Sequence, residues 1–95
     1  MAIARVVTFE DVDAGRMTDL QQRMEEGDRP EGMPPVEVIV LHDTDSGRAL
    51  VLQLFANDDD YRRGEEVFAA MPAGDTPGRR ASVSRYAVAA RMQGS

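Results

Sequence analysis

Carboxylates are concentrated at one point of the chain, in the stretch FANDDDYRRGEEVF at residues 55–68. Asp58, Asp59 and Asp60 carry the hard oxygen atoms that a calcium or magnesium ion prefers. They also follow Asn57, and an amide followed by acidic residues is typical of the first turn of a helix. Consecutive helical residues point about 100° apart, so three neighbouring carboxylates cannot share one ion. The stretch therefore predicts a helix start and no metal site.

Three further side chains are candidates for catalysis. Asn57 and Tyr61 are one helical turn apart, so both can lie on one face of the predicted helix. An amide beside a cavity can hydrogen-bond a substrate oxygen or a developing oxyanion, although the same amide is also an ordinary helix cap. His42 is the only histidine. An imidazole can act as a general base, and a partly exposed residue at a strand end is the alternative.

Arginine and phenylalanine supply the candidates for ligand binding. Arg5 and Arg85 fall inside predicted strands, where an unpaired guanidinium is unfavourable. Ion pairing with carboxylates across a dimer would satisfy them, and a site for an anionic ligand is the alternative. Phe9, Phe55 and Phe68 either line an apolar pocket between sheet and helices or simply pack the core.

Composition excludes several classes of protein. The 95 residues predict a single domain over residues 1–95, and 42% apolar residues indicate a globular chain. The absence of cysteine removes disulfides, thiolate catalysis and cysteine-based zinc sites. A net charge of −6 argues against nucleic acid as a partner. No segment approaches the ~20 apolar residues of a membrane span and no signal peptide is apparent, so we expect a cytoplasmic protein.

Hydrophobic periodicity predicts six elements in the order strand, helix, strand, strand, helix, strand. They cover residues 2–9, 14–26, 36–43, 48–56, 58–71 and 80–92. This βαββαβ order predicts an α+β, ferredoxin-like fold, with both helices on one face of an antiparallel sheet.

The third strand suggests what covers the other face of the sheet. Leu50, Leu52 and Leu54 form one alternating set, which we predict to be the core. The opposite set from Ala49 to Phe55 is still mostly apolar. Because neither face is solvated and no element remains to cover the second one, the sequence predicts a homodimer.

The chain resembles the dimeric α+β barrel superfamily, and within it the small antibiotic-biosynthesis-monooxygenase-like proteins. The resemblance rests on ARVVTFE, VIVLHDTDSGRALVLQLF, NDDDYRRGEEVFAAM and PGRRASVSRYAVA, which together extend over nearly the whole chain. It implies two ferredoxin-like sheets packed face to face in a dimer. In cofactor-free members of the family, an Asn and a Trp have the spacing of Asn57 and Tyr61. Here the Asn matches and tyrosine replaces the Trp.

Two functions therefore stay open. One is the enzyme that the resemblance implies, a monooxygenase-like protein that acts on an aromatic or polyketide-like molecule without a cofactor. The other is a non-catalytic dimeric module that binds a small ligand or a protein. In either case we expect a homodimer with no bound cofactor or metal, and a small apolar or aromatic ligand is a candidate for the further partner.

Overall fold

We analysed a computed structural model, which describes residues 1–27, 31–70, 76–92 and 94. Its six elements follow the predicted βαββαβ order. They are β1 (Ile3–Glu10), α1 (Ala14–Glu25), β2 (Glu37–Asp43), β3 (Arg48–Phe55), α2 (Asp58–Ala69) and β4 (Arg79–Ala87).

The four strands form one antiparallel sheet in the order β2-β3-β1-β4. Both helices cover the same face of it. Met17 of α1 packs on Val7 of β1, and Tyr61 of α2 packs on Ile3 of β1. Because Ile3 and Val7 are an even number of residues apart on one strand, their side chains share a face. This is the ferredoxin-like α+β arrangement, and the predicted fold class is confirmed.

Local capping explains where each helix begins. The Asp13 carboxylate accepts a hydrogen bond from the Arg16 backbone N–H at 3.0 Å, at the start of α1. At the start of α2, the Asn57 side-chain oxygen accepts from the Asp60 backbone N–H at 2.8 Å. Each bond satisfies one of the N–H groups that a first helical turn leaves without a partner. The predicted helix start in the aspartate-rich stretch is therefore confirmed.

Most predicted boundaries agree with the structure to within one residue, and the end of the last strand differs most. The last strand ends at Ala87 instead of residue 92. Ala87 is opposite Ile3, the first residue of β1, and the Val88 N–H donates to the Ala2 carbonyl at 2.9 Å. Beyond that point β1 offers no backbone partner, so pairing stops although the sequence stays apolar. The prediction that α2 reaches residue 71 lies outside the described residues, and the described helix ends at Ala69.

The prediction that Leu50, Leu52 and Leu54 form the core was wrong. The inner face, defined here as the one under the helices, takes the alternating set that includes Val51 and Phe55, which are buried. Leu50 lies on the outer face and is 37% exposed. A period of two separates the two sets but does not say which set meets the helices, since both are apolar. The set that is buried is determined by which residues of β1 the helices contact.

Candidate functional site

A cleft of about 530 Å³ opens between the helices and the inner face of the sheet. This volume lies within the range of about 300–1,000 Å³ that is typical of small-molecule sites. Its walls are mostly apolar. The cleft is defined by Arg5, Val7, Phe9, Leu20, Arg23, Met24, Gly27, Met33, Val36, Val38, Val40, Val51, Gln53, Phe68, Thr76, Pro77 and Arg80.

A pair of buried polar side chains lies on the sheet side of the cleft. Arg5 of β1 and Gln53 of β3 are directly opposite each other, and each is only 4% exposed. Arg5 Nη1 donates to Gln53 Oε1 at 2.8 Å. The Arg5 guanidinium also lies over the Phe68 ring, 5.2 Å from its centroid, at a distance suited to a cation–π contact.

Burial and a nearby carboxylate shift the pKa of Arg5 in opposite directions. Burial lowers the pKa of Arg5, because removal from water disfavours the charged form. The nearby Glu65 carboxylate acts in the opposite direction and raises that pKa. Arg5 Nε is buried and has no hydrogen-bond partner in the part of the chain that the structure describes.

All charged side chains in the described part of the cleft are positive, although the chain carries a net charge of −6. Arg23 and Arg80 line it together with Arg5, and no aspartate or glutamate occurs among the described lining residues. The Arg80 charge further lowers the pKa of Arg5. Guanidinium groups in an apolar cleft produce a local positive potential, which favours an anionic ligand.

The inner face is filled at the other end, beside the start of α2. We call this region the closed end and define it by Ile3, Phe55, Tyr61 and Gly64. Phe55 is 1% exposed, and its ring meets that of Tyr61 edge to face at a centroid distance of 5.8 Å. Gly64 lies against the same Phe55 ring, so closely that a Cβ would come within 2.4 Å of it. The closed end therefore has no room for a ligand.

The three predicted catalytic residues do not meet in the cleft. Asn57 is exposed and caps α2, while Tyr61 is buried in the closed end. Burial raises the pKa of Tyr61, and the hydrogen bond from its hydroxyl to the Glu65 carboxylate raises it further. His42 is exposed and pairs with Ala49. At about 3.3 Å per residue along β3, Ala49 lies roughly 20 Å from the end of the strand that precedes Asn57.

The predicted ligand-binding residues divide between the two regions. Phe9 and Phe68 line the cleft, and Phe55 belongs to the closed end. Arg85 lies outside the cleft, where it pairs with Asp58 at 2.5 Å and stacks on the Tyr61 ring at 4.9 Å. Arg85 thus has a carboxylate partner within its own chain, and its predicted pairing across a dimer stays a prediction.

One signal for the cleft is visible in the sequence, where it was considered for Arg5 but not for Gln53. Arg5 and Gln53 interrupt the apolar alternation of two strands that are now seen to be central. A long polar side chain on the buried face of a central strand needs a partner. Only the strand register shows that these two side chains are partners. Arg23 carried no such signal, because it lies in a polar stretch of sequence.

Two carboxylates of α2 pair with arginines. Asp58 contacts Arg62 at 3.0 Å and Asp60 contacts Arg63 at 2.9 Å. Within the described residues, no three histidine, aspartate or glutamate side chains are placed to hold a metal ion together. No helix among those residues is long and apolar enough to cross a membrane.

The fold and the cleft together place the chain among small ferredoxin-like α+β proteins. A structure titled "Structure of Rv0793 from Mycobacterium tuberculosis" is similar to it, with a TM-score of 0.55 and 11% identity over 98% of this chain and 100% of that one. A conserved protein from Methanosarcina mazei Go1 is also similar, with a TM-score of 0.50 and 13% identity over 90% and 91% of the chains. At such identities the likeness concerns the fold alone. No family model matches the chain, and no curated protein matches its sequence.

Proposed function

We propose that this protein is a ligand-binding protein that takes a small apolar or aromatic molecule into the cleft. The observation that carries the proposal is the contrast between an open, mostly apolar cleft of about 530 Å³ and the tightly filled closed end of the same layer. An open apolar cavity with a few convergent polar groups is the usual form of a small-molecule site.

Binding is favoured over catalysis by the chemistry of the cleft walls. The described lining residues include neither histidine, aspartate, glutamate nor tyrosine, and their ionisable groups are all guanidinium. Guanidinium stays protonated in proteins, so it cannot serve as a general base. The candidate groups for acid–base work, His42 and Tyr61, lie outside these walls.

The test is binding of N-phenyl-1-naphthylamine, an uncharged probe whose fluorescence rises in apolar sites. We expect saturable binding by the native protein. Val40→Phe puts a ring into the cleft and is expected to weaken binding at least about tenfold. Val83→Phe makes the same change at an exposed inner-face position outside the cleft and should bind as the native protein does. Equal binding by both variants would contradict the proposal.

We also propose that the outer face of the sheet is covered by a second copy of the chain. This face displays large apolar side chains at high exposure, including Leu41 at 48% and Tyr86 at 58%. Contiguous apolar surface of this kind is unusual on a soluble monomer. A second copy matches it best, because a two-fold axis brings the same apolar face onto itself with no opposing charge at its centre. This is also the arrangement that the resemblance implies.

Light scattering tests the dimer. The native protein should have a mass near twice 10.4 kDa. Leu41→Glu places a carboxylate beside Leu50 on the apolar outer face and should give a monomer, because the charge would be buried without a partner. His42→Glu changes the adjacent residue, on the opposite side of the strand, and should leave the dimer intact. A native monomer at micromolar concentration would refute the proposal.

A second candidate function is the cofactor-independent oxygenase of the resembled family. The arginines of the cleft support it, because they would lower the pKa of a bound enol or phenol and hold the anion that reacts with oxygen. Oxidation of an anthrone-like substrate would consume one O₂, leave one oxygen atom in the quinone and release the other as water.

Oxygen uptake with anthrone-like and dihydroxyaromatic compounds decides between the two candidates. The enzyme hypothesis predicts turnover, which Asn57→Asp abolishes at an unchanged melting temperature if Asn57 takes part. The binding hypothesis predicts that compounds bind without protein-dependent oxygen uptake. Turnover that persists in Asn57→Asp would leave this residue as a helix cap only.

A further inference from the structure

The guanidinium of Arg5 has more hydrogen-bond donors than acceptors around it. It carries five N–H groups, and the structure gives it one acceptor among the described residues, the side-chain oxygen of Gln53 at 2.8 Å. Arg5 Nε is buried and unmatched, and no described acceptor contacts Nη2. A side chain that is only 4% exposed has little access to water to make up this deficit.

Among the described residues that line the cleft, none carries a negative charge that could pair with Arg5. Buried cations are ordinarily paired with a carboxylate, because an isolated charge is strongly disfavoured in an apolar environment. The Glu65 carboxylate acts on Arg5 and raises its pKa, but it is exposed, does not line the cleft and accepts the hydrogen bond of the Tyr61 hydroxyl. Arg80 adds positive charge to the same walls and further lowers the pKa of Arg5. In the described part of the cleft, Arg5 is therefore a buried positive charge that an anion would neutralise.

The free donors of Arg5 lie on one edge of the guanidinium. Gln53 occupies Nη1, and the opposite edge consists of Nε and Nη2. Two parallel N–H groups on one edge match the two oxygens of a carboxylate, the bidentate geometry in which guanidinium binds this group most strongly. Phe68 packs against the guanidinium plane and, with Gln53, restrains its orientation. The donor pair is thus held in place before any ligand arrives.

We infer that the cleft binds an apolar carboxylate, with its carboxylate group at the Nε and Nη2 edge of Arg5 and its hydrocarbon body along the apolar walls. The body contacts Val38, Val40 and Val51 of the sheet and Leu20 of α1. An aromatic or branched aliphatic acid fits these walls, whereas a small hydrophilic anion would leave them unfilled. The inference rests on the proposed ligand-binding function and adds the chemical class of the ligand.

The test compares two ligands that share one body and differ in charge. Naphthalene-2-carboxylate and its uncharged methyl ester each compete with N-phenyl-1-naphthylamine for the native protein at pH 7.5. We expect the acid to bind at least about tenfold more tightly than the ester, as charge-assisted hydrogen bonds to a buried group would give. Equal affinities would overturn the inference, while binding of the uncharged probe would still support the proposed function. If none of the three compounds binds, both proposals fail.

Two variants test whether Arg5 causes the preference for the acid over the ester. Arg5→Met keeps the length and apolar stem, and should retain the uncharged probe while the preference for the acid falls below about threefold. It should fold, because replacing a buried unpaired charge by an apolar side chain is generally tolerated. Arg5→Lys keeps the charge without the two-donor edge and should show an intermediate preference.

Arg85→Met is the matched control for these variants. Arg85 faces Arg5 on the neighbouring strand but pairs with Asp58 and does not line the cleft. This variant should keep the full preference for the acid. A preference that survives in Arg5→Met, or that Arg85→Met removes equally, would refute the role of Arg5. The acid-to-ester comparison in the native protein requires no variant and stands by itself.

Discussion

The closed end and the cleft lie on the same face of one sheet, yet one is tightly packed and the other is open. In the closed end, Phe55, Tyr61 and Gly64 bring α2 against the strands. Beside the cleft, α1 buries Met17 alone, while Leu20 and Met24 border the open space. On the sheet side, the cleft is lined by Arg5 and Gln53 among apolar residues.

The difference shows how packing and binding are divided within one small domain. Aromatic rings and a glycine allow close approach, which removes apolar surface from water and stabilises the fold. Long polar side chains on the inner face prevent the same approach, because their donors need acceptors that apolar packing lacks. The closed end therefore serves stability, and the cleft is the region available to a ligand.

The largest expected effect on stability comes from truncating one apolar side chain in each region and comparing the two losses. Phe55→Ala should lower the free energy of unfolding by about 3–5 kcal/mol, because it leaves a cavity at a fully buried position. Leu20→Ala removes a half-buried side chain that borders open space, and should cost about 1–2 kcal/mol. Urea denaturation at one protein concentration measures both values. Similar losses for the two variants would contradict the contrast between the regions.

The second prediction concerns the close approach at Gly64. Gly64→Ala would bring a Cβ within 2.4 Å of the buried Phe55 ring. We expect a net loss of about 1–2 kcal/mol, although alanine favours a helix by about 1 kcal/mol. Glu66→Ala, at an exposed position of the same helix, should be close to neutral. In a Phe55→Leu background the same Gly64→Ala change should no longer destabilise. A stabilising effect in the native background would show that the ring moves freely.

The two helix caps provide a smaller comparison between the regions. Asn57→Ala removes the cap of α2 and Asp13→Ala removes that of α1, and each should lower the free energy of unfolding by about 1 kcal/mol. Asn57→Asp still accepts the hydrogen bond and should stay within about 0.5 kcal/mol of the native protein. If Asn57→Asp destabilises as much as Asn57→Ala, a further interaction of the amide must be involved.

The smallest effect is a pH dependence at the closed end. Burial and the Glu65 hydrogen bond raise the pKa of Tyr61 above its ordinary value of about 10. The folded state therefore favours the neutral phenol, and this stabilisation is present below about pH 10 and is lost as the pH rises through the folded-state pKa. Tyr61→Phe should show a flatter decline of stability in the alkaline range. Absorbance titration of both proteins isolates the Tyr61 phenol, and ionisation at or below pH 10 would contradict this.

Local signals in the sequence determined the elements and their order. The acidic first turn of α2, the cap at Asn57 and the turn glycine Gly47, with a φ of 70°, are properties of neighbouring residues. The alternation along β1 and β3 likewise predicted strands. Those elements in that order allowed the ferredoxin-like fold to be predicted, because short connections leave few ways to arrange them.

Only the tertiary structure decided which alternating set of residues in each strand faces the helices, and where the cleft lies. Leu50 and Val51 are equally apolar, and it is contact with α1 and α2 that buries the set containing Val51. In the same way, Arg5 and Gln53 are 48 positions apart in sequence and meet only through the register of β1 with β3. Sequence patterns report periodicity within one segment, whereas a binding site arises from residues of different segments whose pairing long-range contacts determine.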